Sequence, residues 1–167
     1  MALAVLGAWI GMTAAMWFAA AGSFRTLARL SETTTAKLGE ATQSASGEQA
    51  RLSLRYLVSE VNRTYFRAYG WAQLVLGVAL FALLLRRTPR DAASLALAGG
   101  MLVLAAVLTL YLTPQIVAVG RQLDFVPREP VPAGMARFRT LHAAFTGLDG
   151  LKLLAGLALL VRLVWTC

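Results

Sequence analysis

Four apolar runs, each about as long as a hydrocarbon bilayer is thick, leave this chain few folds to choose from. A helix needs about 20 mostly apolar residues to cross a bilayer, with about 17–25 tolerated. The first run covers residues 2–24 and ends at Arg25 and Arg29. The second covers 69–85 and ends at Arg86 and Arg87; the third covers 92–119 and ends at Arg121; the fourth covers 140–161 and ends at Arg162. The expected fold class is an all-α integral membrane protein, a four-transmembrane-helix bundle forming a single membrane domain over residues 1–167. The second run is short and is expected to borrow a turn from the residues before it. The third is long enough to tilt or kink.

Composition points the same way. The chain is 58% hydrophobic and 14% charged, against about 45–50% and about 25% in soluble domains. Its net charge of +8 comes from residues at the ends of the apolar runs. That distribution reads as topology signals and contacts to anionic lipid headgroups, not as a nucleic-acid surface. The first run has no Lys or Arg before it and exceeds the about 7–15 residues of a signal-peptide core, so a retained span is expected. Cys167 is the only cysteine, which excludes an intrachain disulfide.

Residues 25–68 read as a large cytoplasmic loop. Its part 31–47 is rich in Ser, Thr, Ala, Gly and Glu without apolar periodicity, and is expected to be mobile. Ser46-Gly-Glu-Gln49 then matches a capping box. Leu54, Leu57, Val58, Val61 and Tyr65 follow at helical spacing, with Arg51, Arg55, Glu60, Asn62 and Arg63 on the other side. An amphipathic helix is therefore expected before the second span. It either lies on the membrane surface, bent at Gly70, or continues as one long helix. Pro127, Pro130 and Pro132 make residues 124–134 an extended linker.

Lys and Arg also set orientation. The two larger loops and their flanks carry Arg25, Arg29, Lys37, Arg51, Arg55, Arg63 and Arg67, then Arg121, Arg128, Arg137 and Arg139. The opposite side carries Arg86, Arg87, Arg90 and Arg162. The expectation is a bacterial inner (plasma) membrane protein with both termini outside the cytoplasm.

Polar residues inside the runs carry the functional information, because a mid-bilayer charge costs about 2.5–3.5 kcal/mol on insertion scales. Asp149 and Lys152 stand three apart in the fourth run and can neutralise each other. His142 lies seven before Asp149, with Thr146 between, so the run carries a polar stripe. It reads either as an ion, proton or solute path, or as a salt bridge that fixes helix packing. Arg25, Asn62, Tyr65, Tyr69, Thr113 and Arg139 are expected to join it in the cytoplasmic half of the bundle. Pro114 beside Thr113 predicts a kink, and Gly7 and Gly11 form a GxxxG suited to helix packing within the chain. A lone His and the lack of a Cys/His/carboxylate cluster give no metal or haem signature, and no cofactor is expected. The sequence also has no phosphate loop, GxSxG, HExxH or CxxC, so no catalytic residues are assigned.

Four stretches carry a family resemblance. They are Trp9-Ile-Gly-Met-Thr-Ala-Ala-Met-Trp-Phe18 continuing to Phe24, Val61-Asn-Arg-Thr-Tyr-Phe-Arg-Ala-Tyr69, Tyr111-Leu-Thr-Pro114, and Phe138-Arg-Thr-Leu-His142 followed by Asp149. Together they resemble the transmembrane protein 205-like family of small four-helix membrane proteins with a domain of unknown function. The resemblance implies the four-helix architecture and no agreed activity. The expected function is a non-enzymatic membrane protein that binds or moves a small polar or ionic solute along the stripe, alone or as a homo-oligomer. The alternative is an accessory subunit of a larger membrane complex, with the stripe serving helix packing.

Overall fold

The computed structural model describes residues 1–41, 45–126 and 129–165. Among them there is no strand. Helix α1 spans Ala2–Ala41 and α2 spans Ala45–Leu85. Helix α3, Ala92–Ala106, runs through a π turn, Val107–Leu112, into α4, Thr113–Gln122, as one rod. Helix α5 spans Met135–Trp165. All four rods are long and apolar enough to cross a membrane. They pack in a closed ring, α1 on α2, α2 on α3, α3 on α5 and α5 on α1. The short connections make sequential neighbours antiparallel, as in an up-down bundle.

The apolar core is thickest at the end holding both termini. There Leu6, Trp9, Leu80, Met101, Leu159 and Leu163 interlock. A middle layer of Met16, Tyr69, Leu108, Leu112 and Phe145 follows. At the far end, among the described residues, Val119, Leu123 and Met135 are buried together. The described core is thus thinnest at the end where α4 connects to α5.

The structure bears on four of these expectations. The stretch 31–47 is helical to Ala41 and again from Ala45, with 42–44 outside the described residues. It contains Ala, Leu, Lys and Glu and no proline, and such residues favour helix without needing a buried face. Missing periodicity did not mean a missing helix. The Ser46 box falls just inside α2, within the usual uncertainty of a helix boundary.

The second is at Gly70, where of the two readings the single long helix holds, since α2 runs through it unbroken. A Cβ there would lie 2.8 Å from both Cγ2 and Oγ1 of Thr109, so the glycine lets α2 approach the π turn. The amphipathic helix is thus the first half of a continuous α2, whose 41 residues run about 60 Å at about 1.5 Å per residue. Leu57, Val61 and Tyr65 of its apolar side are exposed, while on its polar side Asn62 is buried, Arg55, Glu60 and Arg63 are half-buried and Arg51 is exposed.

The third concerns the GxxxG. Gly7 and Gly11 are exposed and have no neighbouring side chain within 4 Å. They lie away from Leu6, Trp9, Thr13 and Met16, the residues at helical spacing that α1 buries. Gly77 and Gly156 supply the close contacts instead. A Cβ at Gly77 would lie 2.8 Å from Trp9, and one at Gly156 would lie 3.1 Å from Met101.

The fourth concerns Pro114, where the irregularity takes the form of a π turn. Proline has no N–H to give the carbonyl one turn back. The Thr113 N–H bonds Leu108 O, five residues back, and the Thr113 hydroxyl donates to the same carbonyl at 2.8 Å. The wider turn lets the sequence neighbours Leu112 and Thr113 both point inward.

A clasp closes the end with the thick core. Asp91 caps α3 through Ala93 N–H and accepts a fork from Arg162 at 2.6 and 2.7 Å. The Arg162 hydrogen bonds, helped by Ser94, hold the Asp91 carboxyl well below its ordinary value of 3.8. A lowered folded-state value means that its stabilisation is present above the unfolded value and is lost as pH falls below it. The thermal midpoint is therefore expected to drop below about pH 4, and Asp91→Asn should flatten that part of the profile. Because the clasp is solvent-exposed, high salt should shrink the effect.

Candidate functional site

Two polar assemblies occupy the bundle. The first is a closed knot joining α1, α2 and α5. Asp149 and Lys152 are each only 1% exposed, and the ammonium lies 2.6 Å from Asp149 Oδ1. The same oxygen lies 2.9 Å from the Tyr69 hydroxyl, and Oδ2 accepts from Trp17 Nε1 at 2.7 Å. Lys152 Nζ also donates to the Tyr69 oxygen at 2.9 Å and sits 5.0 Å from the Tyr69 ring centre. Thr13 lies 3.2 Å from the Tyr69 hydroxyl and donates its own proton to Trp9 O. Both carboxylate oxygens thus meet donors, which suits a carboxylate beside an ammonium. Within the knot each charged group bonds the other and Tyr69.

The second assembly is a cavity of about 110 Å³ at the end where the core thins. Its polar lining is Arg55, Ser59, Asn62, Arg63, Asp124 and His142; the apolar walls include Phe66, Ile116, Val117, Phe138 and Phe145. Arg55, Ser59, Asn62 and Phe66 recur at helical spacing, so one face of α2 supplies much of the wall. Asn62 is 6% exposed, and neither atom of its amide has a hydrogen-bond partner.

Three successive residues beyond α4 are fastened to α2. Asp124 meets Arg63 at 2.8 Å, the Phe125 ring lies on Tyr56 with centroids 4.7 Å apart, and Val126 O accepts from Arg55 Nη2 at 2.6 Å. Arg63 also pairs with Glu60, one turn back. Phe125 adopts a left-handed φ of 58°, an uncommon conformation for a bulky residue, and the flanking arginine contacts hold it there. Gly120 lets Arg63 lie close to α4, since a Cβ there would be 3.4 Å from its guanidinium.

The expected stripe on α5 is therefore divided. His142 lines the cavity and stacks on Phe138 at 5.8 Å. Asp149 and Lys152 belong to the knot. Thr146 is exposed and donates to His142 O, outside both assemblies. Thr113 lines the cavity while closing the π turn. Arg25, Tyr65 and Arg139 are exposed and do not line the cavity. Pro114 is exposed and shapes the rod without touching the site. Among the described residues, no His, Cys, Asp and Glu group could hold a metal ion.

The chain matches no family profile, no characterised protein and no solved structure. The site must therefore be read from its own chemistry. Sequence reasoning put Tyr69 in the polar cluster above Asp149 and Lys152 but missed Trp17, which reads first as packing or an interface anchor, and Thr13, a small residue inside an apolar run. It placed Asn62 in that cluster but missed Ser59 and Arg55, one and two turns before it on α2. The spacing of Arg55, Ser59 and Asn62 was visible, but a polar face is ordinarily assigned to water.

Proposed function

We propose that the chain is a non-enzymatic integral membrane protein that holds a small polar or ionic solute in the cavity at one end of its bundle. Asn62 carries this reading. A buried amide with both ends unbonded costs about 1–3 kcal/mol for each unsatisfied group, and this one borders a cavity. A solute that bonds it removes that cost. Binding is favoured over conduction by what lies deeper. Phe66 and Phe145 meet edge to face at 5.4 Å, and the space beyond them is about 10 Å³, room for no more than a water. A ligand-observed NMR screen of small polar solutes against the protein in nanodiscs tests this. Binders are expected whose signal disappears in Asn62→Leu, a substitution of similar size. A screen in which no binder distinguishes the two proteins would sink the reading.

The bias of Lys and Arg supports an orientation in which the cavity opens toward the cytoplasm. In a Cys167→Ser background, Thr88→Cys should react with an impermeant maleimide on intact bacterial cells. Ala133→Cys should react only after permeabilisation. The reverse pattern would invert the orientation. The likeness to the transmembrane protein 205-like family belongs to the same proposal and supports the architecture alone.

The accessory-subunit reading draws on the knot, whose polar contacts are all internal, as expected of a packing device. Native mass spectrometry after gentle extraction separates the two: an accessory subunit leaves the membrane with a stoichiometric partner, a solute-binding protein without one.

A further inference from the structure

The hydrogen-bonding groups that border the cavity are unequally matched. Asp124 is the one carboxylate in the lining, and both of its oxygens are engaged by Arg63, at 2.9 Å to Oδ1 and 2.8 Å to Oδ2. The Thr113 hydroxyl is committed to Leu108 O. Donors remain: the Asn62 amide N–H groups, the Ser59 hydroxyl and the N–H groups of Arg55 beyond the one given to Val126 O. Acceptors also remain in the Asn62 amide oxygen, the Ser59 and Thr113 hydroxyl oxygens and one ring nitrogen of a neutral His142, but none of these carries a negative charge.

Charge is matched in the same uneven way. Arg63 is flanked by Glu60 and Asp124, whereas Arg55 bonds a neutral carbonyl. Among the described residues, no carboxylate pairs with Arg55. His142, on the α5 wall, is the remaining titratable group there. A cation would meet two guanidiniums and a carboxylate that is already occupied. An anion would meet an unpaired guanidinium and a free amide. Arg55, Ser59 and Asn62 stand at i, i+4 and i+7, so the donors form one line along α2. Phe66 continues that line on α2, and Ile116, Val117 and Phe145 come from the facing helices; all four suit hydrocarbon. The volume of about 110 Å³ is below the roughly 150 Å³ that holds benzene. It suits a head and a few carbons.

We infer that the cavity takes an oxyanion on an apolar body, with its head on Arg55, Ser59 and Asn62 and its first carbons against the aromatic wall. This rests on the cavity being the solute site proposed above. The same chemistry is offered by a free short-chain carboxylate and by the phosphate head of an anionic lipid.

The test compares hexanoate with 1-hexanol by saturation-transfer NMR, using the full chain in zwitterionic nanodiscs. A parallel arm detects phosphatidic acid by native mass spectrometry after reconstitution in nanodiscs containing it. Hexanoate is expected to bind at least tenfold more tightly than hexanol. Arg55→Gln should remove that preference, and Arg55→Lys, which keeps the charge, should retain most of it. Thermal midpoints confirm that each variant is folded. Retention of phosphatidic acid by the wild type and not by Arg55→Gln, with hexanoate silent, identifies the lipid as the source and supports the inference equally. Equal binding of hexanol and hexanoate overturns it, as does an unchanged preference in folded Arg55→Gln. So does failure of both oxyanion probes. If neutral solutes still bind in an Asn62-dependent way, the solute site survives that failure and only its anion preference falls.

Discussion

Lys152→Met is expected to destabilise the bundle by about 3–5 kcal/mol, the largest effect of any single change proposed for this chain. The substitution keeps the length of the side chain and deletes its charge. Asp149 is then left 1% exposed without its cation. The competing estimate is that side-chain hydrogen bonds between membrane helices average only about 0.6 kcal/mol. That average describes neutral partners that find substitutes in the unfolded state. An abandoned carboxylate in the middle of a bundle has none, so the cost of stranding the charge decides. The double variant Asp149→Leu with Lys152→Met should recover most of the loss, since apolar replacement of a buried pair is often neutral or better. Trp17→Phe should cost less, about 1–3 kcal/mol, because it strips one donor from Asp149 Oδ2 and leaves the ammonium in place. Reversible unfolding in mixed detergent, followed by circular dichroism, gives all three values. Equal losses in the single and double variants would mean that the knot stabilises by some route other than charge pairing.

Gly77→Ala is expected to destabilise by about 1–3 kcal/mol through overpacking, while Gly7→Ala is neutral or stabilises by up to about 1 kcal/mol. The chemical change is the same in both. A new Cβ at Gly77 would sit 2.8 Å from the Trp9 ring and 2.8 Å from Leu102 Cδ1. Leu102 can turn aside, but Trp9 is 1% exposed and has no space to move into. At Gly7 nothing lies within 4 Å, so only the gain in helix propensity remains. Trp9→Phe removes the offending ring atoms and should lessen the penalty at Gly77 in a double-mutant cycle. A destabilising Gly7→Ala in a monomeric preparation would contradict the outward position of that glycine.

The contrast between these glycines separates what is local from what is not. The Gly7–Gly11 pattern is conspicuous in sequence because its spacing is regular. Whether a small residue is needed depends on what faces it, and the neighbour of Gly77 lies 68 residues away in the chain. The same holds for the polar groups. Asp149 and Lys152 are legible as a pair because they are three apart on one helix. Their partners Trp17 and Tyr69 are 132 and 80 residues from Asp149. No spacing rule reaches that far.

The apolar runs themselves determined the all-helical bundle and its four helices long and apolar enough to cross a membrane, and Pro114 marked the neighbourhood of the π turn. Hydropathy and the missing proline N–H act within a few residues of the chain and need no knowledge of neighbours. The inward turn of the Arg55–Asn62 face, the fastening of residues 124–126 to α2 and the division of the α5 stripe were decided only in three dimensions. A membrane reading removes water as the default partner of a polar face. Such a face then turns to whatever the opposite helix presents, and packing alone fixes which helix that is. Along α5 the neighbours are Trp17 and Tyr69 at Asp149, and a cavity at His142. One run of polar residues thus became a sealed knot at one level and an open site at another.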